Sequence, residues 1–431
     1  MLFRSAPSNF LLTNPVALSK AFDTGGKSLA DGFKLFLDDL RNGGVQMVDR
    51  APFVVGGNLA MTPGAVVYRN ELMELIQYTP VTPTVHAVPI VIVPPWINKY
   101  YILDLREKNS LIKWAVDQGH TVFCISWVNP DARLAAKTFD DYMIEGPLAA
   151  LDAIAAATGE REANVVGYCL GGTLLACTLA YMAKKNDRRV ASATYLATMV
   201  DFAEAGELSI FIDEEQLAQL EAAMNERGYL DGSEMAATFN MLRANDLIWS
   251  FVINNYLLGK EPFPFDLLYW NADSTRMPAA MHSFYLRQMY QENRLSKGEI
   301  SLRKTRIDLT KIKTPTFILA TREDHIAPWK STYAATRLYG GPVRFVLSAS
   351  GHIAGVVNPP AANKYGHWTN DALPPTPDAW FGGATQKAGS WWPEWDAWIK
   401  PYSGGEVAAR QPGDGGLKSL GDAPGSYVRA K

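Results

Sequence analysis

The segment 167–172, GYCLGG, combines a nucleophile with the small neighbours that a strained turn requires. It follows the short strand pattern 164–167 and precedes an apolar helical pattern, so Cys169 would lie between a strand and a helix. Glycines two residues before and two residues after the cysteine leave room for the backbone there. The positive end of the following helix would favour the thiolate, which is the reactive form. Cys169 is therefore the candidate nucleophile.

The alternative is that Cys169 is an ordinary core cysteine in a glycine-rich turn, since free cysteines are commonly buried and inert. Cys124, within a strand pattern, and Cys177, within the helix after the turn, are expected to be of that kind. Three cysteines without zinc-ligand spacing indicate neither a disulfide framework nor a metal site, and they fit a reducing cytoplasm. We expect no metal and no cofactor.

A nucleophile needs a base, and the base needs a group that orients it. Two late strand patterns, 316–320 and 343–347, are each followed by a polar loop. Asp324 lies in the first loop and His352 lies in the second, next to a glycine. The order nucleophile, acid, histidine is that of the α/β-hydrolase fold. The sequence therefore predicts a triad of Cys169, His352 and Asp324.

Other residues could fill the same two roles. Glu323, beside Asp324, could orient the imidazole instead. Among the six histidines, His325 is the main competitor for the base because it directly follows the acid, and His367 lies in a later loop. A lone histidine or a loop carboxylate is more often structural than catalytic, so the assignment depends on the order of the loops.

Acyl transfer also requires donors for the developing oxyanion. One is expected to be the backbone N–H of Leu170, the residue after the nucleophile. The other is expected from the loop 94–99, PPWINK, which follows an early strand. Its two prolines have no N–H, so residues 96–98 are the candidates, and we favour Ile97.

Alternating strand and helix patterns position these loops and argue for a mostly parallel sheet flanked by helices. The alternation pauses over residues 202–312, where helical patterns and aromatic residues take its place. We predict an α/β-hydrolase fold whose catalytic domain spans 51–431, with a cap or lid inserted at 202–312. Residues 1–50 read as amphipathic helices, the remnant of a helical N-terminal region. The predicted strands are 90–93, 121–127, 164–167, 190–199, 316–320 and 343–347.

Composition excludes several classes of protein. The chain has 431 residues, of which 48% are hydrophobic, and a formal net charge of −3 without blocks of like charge. We therefore expect neither nucleic-acid binding nor a polybasic membrane anchor. The uncharged stretch 163–183 is long enough to span a bilayer, but its glycines favour a strand, a turn and a helix. The N-terminus lacks the pattern of a signal peptide.

Nine segments along the chain, among them GYCLGGT (167–173), REDHIAPW (322–329) and SGHIAGVVNPP (350–360), resemble polyhydroxyalkanoate synthases, specifically the class I enzymes that use short-chain substrates. Two departures stand out, since the family has a longer N-terminal region and often has Cys where this chain has Trp96. The second departure could affect the entry of substrate. The resembling segments are PPWINKYYILDL (94–105), GHTVFCISWVNPD (119–131), GYCLGGT (167–173), NDLIWSFVINNYLLG (245–259), PFDLLYWNAD (264–273), REDHIAPW (322–329), SGHIAGVVNPP (350–360), HWTNDALP (367–374) and GSWWPEW (389–395).

The resemblance implies a substrate, 3-hydroxyacyl-coenzyme A, with 3-hydroxybutyryl-coenzyme A foremost, whose acyl group passes through Cys169 to a growing polyester. It also implies a homodimer in the cytoplasm, at the surface of polymer granules, with no transmembrane segment. Aromatic residues of the insertion could keep water from the sulfur, although any one of them is more often simply core. These are Trp249, Phe251, Tyr256, Phe263, Phe265, Tyr269 and Trp270.

Two other functions fit parts of the same pattern. A cysteine hydrolase acting on esters, lactones or thioesters would use the same triad, because both classes form an acyl-enzyme. An inactive homologue that coats granules as a structural protein would not need the triad at all. Only the segments outside the triad favour the synthase over the hydrolase.

Overall fold

A ten-stranded sheet dominates the computed structural model, which describes residues 6–431. Its strand order is β1-β2-β5-β4-β6-β7-β12-β13-β14-β15. The six central strands, from β5 to β13, run parallel, and the two strands at each edge are antiparallel. The strands are β1 Gly64–Arg69, β2 Met73–Tyr78, β3 Thr84–His86, β4 Ile90–Val93, β5 Val122–Trp127, β6 Ala163–Tyr168, β7 Val190–Leu196, β8 Tyr229–Leu230, β9 Met277–Pro278, β10 Ser301–Leu302, β11 Thr305–Arg306, β12 Thr316–Thr321, β13 Val343–Ser348, β14 Gly366–Thr369, β15 Thr385–Ala388 and β16 Glu406–Ala408.

Helices connect the parallel strands, as the alternating pattern predicts. The uncharged stretch 163–183 forms β6, the turn at Cys169 and most of α6. No helix among residues 6–431 is long and apolar enough to cross a membrane. The helices are α1 Pro15–Asp23, α2 Lys27–Asn42, α3 Leu111–Asp117, α4 Phe139–Met143, α5 Ala149–Thr158, α6 Leu170–Lys184, α7 Glu214–Arg227, α8 Gly232–Leu242, α9 Asp266–Asn271, α10 Ala279–Tyr285, α11 Trp329–Tyr333, α12 Ala335–Leu338, α13 Pro377–Gly382 and α14 Trp392–Ile399.

Sequence signals account for how several of these elements begin and end. The four residues of β4, IVIV, are all buried, as expected for a central parallel strand. A π-helical turn at Ile144–Leu148 separates α4 from α5, because Pro147 has no N–H for the helical ladder. Gly228, at a φ of 88°, ends α7 in the left-handed conformation that glycine adopts without strain.

The chain forms two compact units. One comprises the residues up to Val54 together with Gly232–Ser274, and the other comprises Val55–Asp231 and Thr275–Lys431. The second unit holds the sheet and every predicted site residue. The predicted boundaries, 1–50, 51–431 and the insertion 202–312, stay a prediction.

The last part of the chain is extended and is bound to the edge of the sheet. Residues 420–423 exchange backbone hydrogen bonds with β1, and the carboxylate of Glu74, on β2, is fully buried beneath them. It accepts hydrogen bonds from the N–H groups of Ser426 and Tyr427, both at 2.9 Å, and from the Arg69 guanidinium. We call these contacts of the Glu74 carboxylate the clasp. Beyond the clasp, the buried Lys99 ammonium donates to the carbonyl oxygen of Ala430 at 2.9 Å.

We expect a Glu74→Ala variant to lose about 3 kcal/mol of unfolding free energy, because the Arg69 guanidinium and two backbone N–H groups lose a fully buried acceptor. Urea denaturation would measure the loss, and limited proteolysis should show earlier cleavage within 420–431. Glu71→Ala is the matched control, since Glu71 is an exposed partner of Lys137 and its loss should cost less than about 0.5 kcal/mol. Equal stability of the two variants would contradict the clasp.

Candidate active site

Cys169 lies in the tight turn between β6 and α6, at the carboxyl edge of the sheet. Its backbone adopts φ 51° and ψ −121°, a strained conformation for a residue with a side chain. The flanking glycines are required sterically. A Cβ on Gly167 would lie 2.5 Å from the Cα of Gly172, and one on Gly171 would collide with the carbonyl oxygen of Val93. The partly buried thiol thus lies at the N-terminus of α6, as the sequence predicts.

The loops after β12 and β13 bring Asp324 and His352 together. The Nδ1 atom of His352 lies 2.7 Å from the Oδ2 atom of Asp324. Three further donors hold the carboxylate: the Thr321 hydroxyl at Oδ2, and the N–H groups of Ile326 and Ala327 at Oδ1, at 2.8 to 2.9 Å. The carboxylate is therefore fixed, and it orients the imidazole through Nδ1.

Among the carboxylates and histidines considered from the sequence, it is Asp324 and His352 that form this hydrogen bond. The Glu323 side chain is exposed, and its backbone N–H donates to the carbonyl oxygen of Ser350. His367 places its Nδ1 atom 3.0 Å from the carbonyl oxygen of Gly389, on a different loop. The catalytic roles of the residues remain predictions at this point, whereas their relative positions are those of an acid–histidine pair.

Burial and charge together set the protonation of the pair. Burial lowers the pKa of His352, but the negative charges of Asp324 and Cys169 outweigh it and hold that pKa well above its usual range. Burial raises the pKa of Asp324, but the charge of His352 and the hydrogen bonds from His352, Ala327 and Thr321 keep that pKa below its usual value. The arrangement thus places the imidazole of His352 where the buried Asp324 carboxylate stabilises its protonated form.

The loop after β4 borders the nucleophile turn, because Gly171 packs directly on the carbonyl oxygens of Val93 and Pro94. As the first residue of α6, Leu170 has no partner for its N–H inside the helix, so this group can serve an oxyanion. Ile97 is partly buried in the adjacent loop, and its carbonyl oxygen accepts from the Thr275 N–H at 3.3 Å. The assignment of Leu170 and Ile97 as oxyanion donors stays a prediction.

Trp96, the departure noted in that loop, is 1% exposed. Its ring packs against three aromatic side chains at centroid distances of 5.0 to 6.1 Å. The residue therefore belongs to the hydrophobic core on the flank of the loop. The three neighbours are Trp127, Phe139 and Tyr142.

Several neighbours of the triad were given no role by the sequence analysis. The Tyr168 ring stacks on the His352 imidazole with centroids 5.6 Å apart, and its hydroxyl donates to the His352 carbonyl oxygen at 3.2 Å. Burial raises the pKa values of Tyr285 and Tyr290, and the nearby Cys169 adds to both shifts. Together with Phe202, which contacts both rings, they form an aromatic wall beside the sulfur.

The other two cysteines behave as core residues, as expected. Cys124 and Cys177 are fully buried, and burial raises the pKa of each thiol well above its usual value. Among residues 6–431, no cluster of three or more histidine, cysteine or acidic side chains could hold a metal ion. Cys169 is thus distinguished from the other cysteines by its exposure and by its charged neighbours.

The central sheet and the carboxyl-edge arrangement of Cys169, His352 and Asp324 define a class, that of α/β-hydrolase-fold proteins with a cysteine nucleophile turn. The sequence model of the alpha/beta hydrolase fold matches residues 89–359. The model of the poly-beta-hydroxybutyrate polymerase (PhaC) N-terminus matches residues 2–115. The chain belongs to the poly(3-hydroxyalkanoate) polymerase family, and it is an acyltransferase-type synthase.

Two relatives support this assignment over nearly the whole chain. The poly(3-hydroxyalkanoate) polymerase of Methylorubrum extorquens is 53% identical over 100% of this chain and 72% of its own length. The poly(3-hydroxyalkanoate) polymerase subunit PhaC of Rhizobium meliloti (strain 1021) is 52% identical over 99% of this chain and 70% of its own length. Among solved structures, a hydrolase from Pseudomonas aeruginosa PA01 aligns with 68% of this chain and 92% of its own, at 15% identity and a TM-score of 0.40.

Proposed function

We propose that this chain polymerises 3-hydroxyacyl-coenzyme A, foremost 3-hydroxybutyryl-coenzyme A, into a polyester and releases coenzyme A through a covalent acyl-Cys169 intermediate. The observation that carries the proposal is the ordered pair of His352 and Asp324 beside a cysteine in a nucleophile turn. Membership of the polymerase family selects this reaction among those that such a triad can perform.

In the acylation step, His352 accepts the thiol proton of Cys169, and the sulfur attacks the thioester carbonyl carbon. The N–H groups of Leu170 and Ile97 stabilise the negative oxygen of the tetrahedral intermediate. The bond between the carbonyl carbon and the coenzyme A sulfur then breaks, and the leaving thiolate takes the proton from His352. The acyl group remains on Cys169 as a thioester, which can still acylate an alcohol.

In the transfer step, the hydroxyl group of another substrate unit or of the growing chain attacks the acyl-Cys169 carbonyl. We assign the base to His352 rather than to Asp324, because both carboxylate oxygens already accept hydrogen bonds and the side chain is fully buried. The new ester bond forms, Cys169 leaves, and the proton returns from His352 to the sulfur. No cofactor is needed, because the coenzyme A thioester is itself the activated substrate.

The test is to incubate the protein with 3-hydroxybutyryl-coenzyme A and to measure both the thiol released and the acyl product. We expect one thiol for each monomer unit and an insoluble polyester. Thiol release with only free hydroxy acid would instead identify a cysteine hydrolase. Absence of thiol release would favour an inactive granule-coating protein.

We propose that the protein lies at the surface of polymer granules in the cytoplasm. The helix α2 provides a side that could contact the polymer. This helix buries its small and polar residues Ser28, Gly32 and Asp39. Gly32 packs directly against the carbonyl group of Tyr256, and the Tyr256 hydroxyl donates to Asp39 at 2.7 Å. Four large apolar side chains of this amphipathic helix are consequently exposed. We call this set the apolar face of α2, and it consists of Phe33, Phe36, Leu37 and Leu40.

We expect a Phe33→Ser, Leu40→Ser double variant to bind poly(3-hydroxybutyrate) particles at least about tenfold more weakly, because each large apolar side chain contributes roughly 1.5–3 kcal/mol when buried. Both side chains are about 60% exposed, so the fold should tolerate the change. Cosedimentation measures binding, and thiol release from soluble substrate should stay within about twofold.

Ile210→Ser is the matched control, since Ile210 is 69% exposed but lies outside the apolar face of α2. Unchanged binding by the double variant would contradict the proposed polymer contact. A shift from dimer to monomer without loss of particle binding would instead make the face a subunit interface of the proposed homodimer.

A further inference from the structure

Arg322 has an unusual environment for an arginine. Its guanidinium carbon lies 5.1 Å from the centroid of the Trp368 ring and 4.9 Å from that of Phe381, so two aromatic side chains hold it. The residue is exposed, and no carboxylate forms an ion pair with it among residues 6–431. By contrast, the Arg344 guanidinium, at the other end of the same pair of strands, bonds both Asp371 and Glu394.

Aromatic contacts of this kind fix the plane of a guanidinium while leaving its N–H groups at the rim. Those N–H groups form a fork that matches a phosphate or carboxylate. Because the guanidinium is held in advance, little side-chain entropy would be lost when an anion binds. Arg322 is thus a cation that is preorganised but has no anionic partner of its own chain in the described residues.

The position of Arg322 links it to the triad. It directly follows β12 and precedes Asp324 by two residues, so the two Cα atoms are at most about 7 Å apart. The backbone N–H of Arg322 donates to the carbonyl oxygen of Ser348, the last residue of β13, at 2.9 Å. Trp368 pairs with Leu347, one residue before that strand end. The guanidinium therefore lies at the edge of the sheet from which the His352 loop emerges.

We propose that Arg322, cradled by Trp368 and Phe381, binds a phosphate group of the substrate's coenzyme A nucleotide. The inference rests on the proposed function, which supplies a substrate with phosphates at the far end of a flexible pantetheine arm. That arm allows the thioester to reach Cys169 while the nucleotide stays at the outer edge. Arg322 therefore determines affinity for the carrier and takes no part in the bond changes.

The test compares two thioesters of the same acyl group, 3-hydroxybutyryl-coenzyme A and 3-hydroxybutyryl-pantetheine, which lacks every phosphate. For Arg322→Ala we expect KM for the coenzyme A substrate to rise about tenfold or more, because a charge-assisted hydrogen bond is lost. The turnover number should change by less than about twofold, and the kinetics with the pantetheine thioester should match those of the wild type. That match would also show that the variant is folded.

Two controls sharpen the comparison. Lys330→Ala removes one positive charge nearby, but Lys330 already pairs with Asp378, so KM should stay within about twofold. Arg322→Lys keeps the charge and loses the planar fork, so it should restore only part of the affinity. Equal losses with both thioesters would show a structural role, and no loss with either would leave Arg322 without a ligand role. Either outcome overturns the proposal.

A binding measurement separates this inference from the proposed function. Adenosine 3′,5′-bisphosphate, which carries nucleotide phosphates without a thioester, should bind the wild type and bind Arg322→Ala at least about tenfold more weakly in calorimetry. This result is expected even if no thioester is turned over, in which case the proposed function fails and the phosphate site stands. Equal binding by the two proteins would refute the site even if the polymerase reaction is observed.

Discussion

A Cys169→Ala variant is expected to lose at least about 10⁴-fold of the rate of coenzyme A release, with no polyester formed. Alanine has no atom to carry the acyl group, and no other cysteine can replace it, since Cys124 and Cys177 are buried thiols with raised pKa values. The measurement is thiol release from 3-hydroxybutyryl-coenzyme A under single-turnover conditions. Mass spectrometry of the wild type should show one acyl group on the peptide that contains Cys169.

Cys177→Ala is the matched control, because it removes a thiol from the same helix without touching the turn. It should keep its activity and lose only about 1 kcal/mol of stability from the buried sulfur. Cys169→Ser tests the chemistry further, because a hydroxyl in the same turn is a weaker nucleophile than a thiolate. Release of thiol by Cys169→Ala at the wild-type rate would remove Cys169 from the mechanism.

The positions of Cys169, Asp324 and His352 could be predicted because the fold converts chain order into position. Parallel strands end at the same edge of a sheet, so the loops after β6, β12 and β13 had to emerge at one edge. Strong local signals marked those strand ends, namely the glycines around Cys169 and the polar loops that hold Asp324 and His352. The sheet, most of its strands and the fold class were recovered for the same reason.

Contacts between distant segments left no local signal. The Glu74 carboxylate binds Ser426 across 352 positions of the chain, and nothing near either residue suggests the pairing. The aromatic wall also joins distant parts of the chain, since the rings of Phe202 and Tyr290 come into contact only in the folded protein. The sequence suggested other aromatics as a barrier to water, and those seven residues belong to the first unit.

The helix α2 shows how a correct pattern can mislead about packing. The amphipathic pattern of residues 1–50 was recognised, and the apolar side of such a helix normally faces the core. In the structure the helix approaches the segment at Tyr256 through Gly32, because only a residue without a side chain fits against that backbone. Close packing through a small residue therefore decided the orientation of the helix, and the apolar face of α2 was left exposed.

An Asp324→Asn variant is expected to reduce kcat/KM about 10³- to 10⁴-fold, although it changes one atom. The N–H groups of Ile326 and Ala327 both donate to Oδ1, so the amide oxygen of asparagine must occupy that position. Its NH₂ group then faces the Nδ1 atom of His352, 2.7 Å away in the wild type. Nδ1 becomes an acceptor, the proton moves to Nε2, and the imidazole can no longer accept a proton from Cys169.

Glu323→Gln is the matched control, because it also replaces a carboxylate by an amide. Glu323 is exposed, and the hydrogen bond to the imidazole comes from Asp324 instead. It should change kcat/KM by less than about twofold. A larger loss for Glu323→Gln than for Asp324→Asn would transfer the orienting role to Glu323, the alternative that the sequence left open.

The pKa of His352 provides a second test of the interaction between Asp324 and His352. In the wild type, burial lowers this pKa while the charges of Asp324 and Cys169 raise it, and the raising effect dominates. Removing the carboxylate charge removes the largest raising contribution and leaves the effect of burial, so the pKa of His352 must fall in Asp324→Asn. Titration of the imidazole by NMR should therefore show its proton lost at lower pH than in the wild type. An unchanged midpoint would mean that Asp324 holds the ring without controlling its charge, and the loss of activity would then have to come from the tautomer alone.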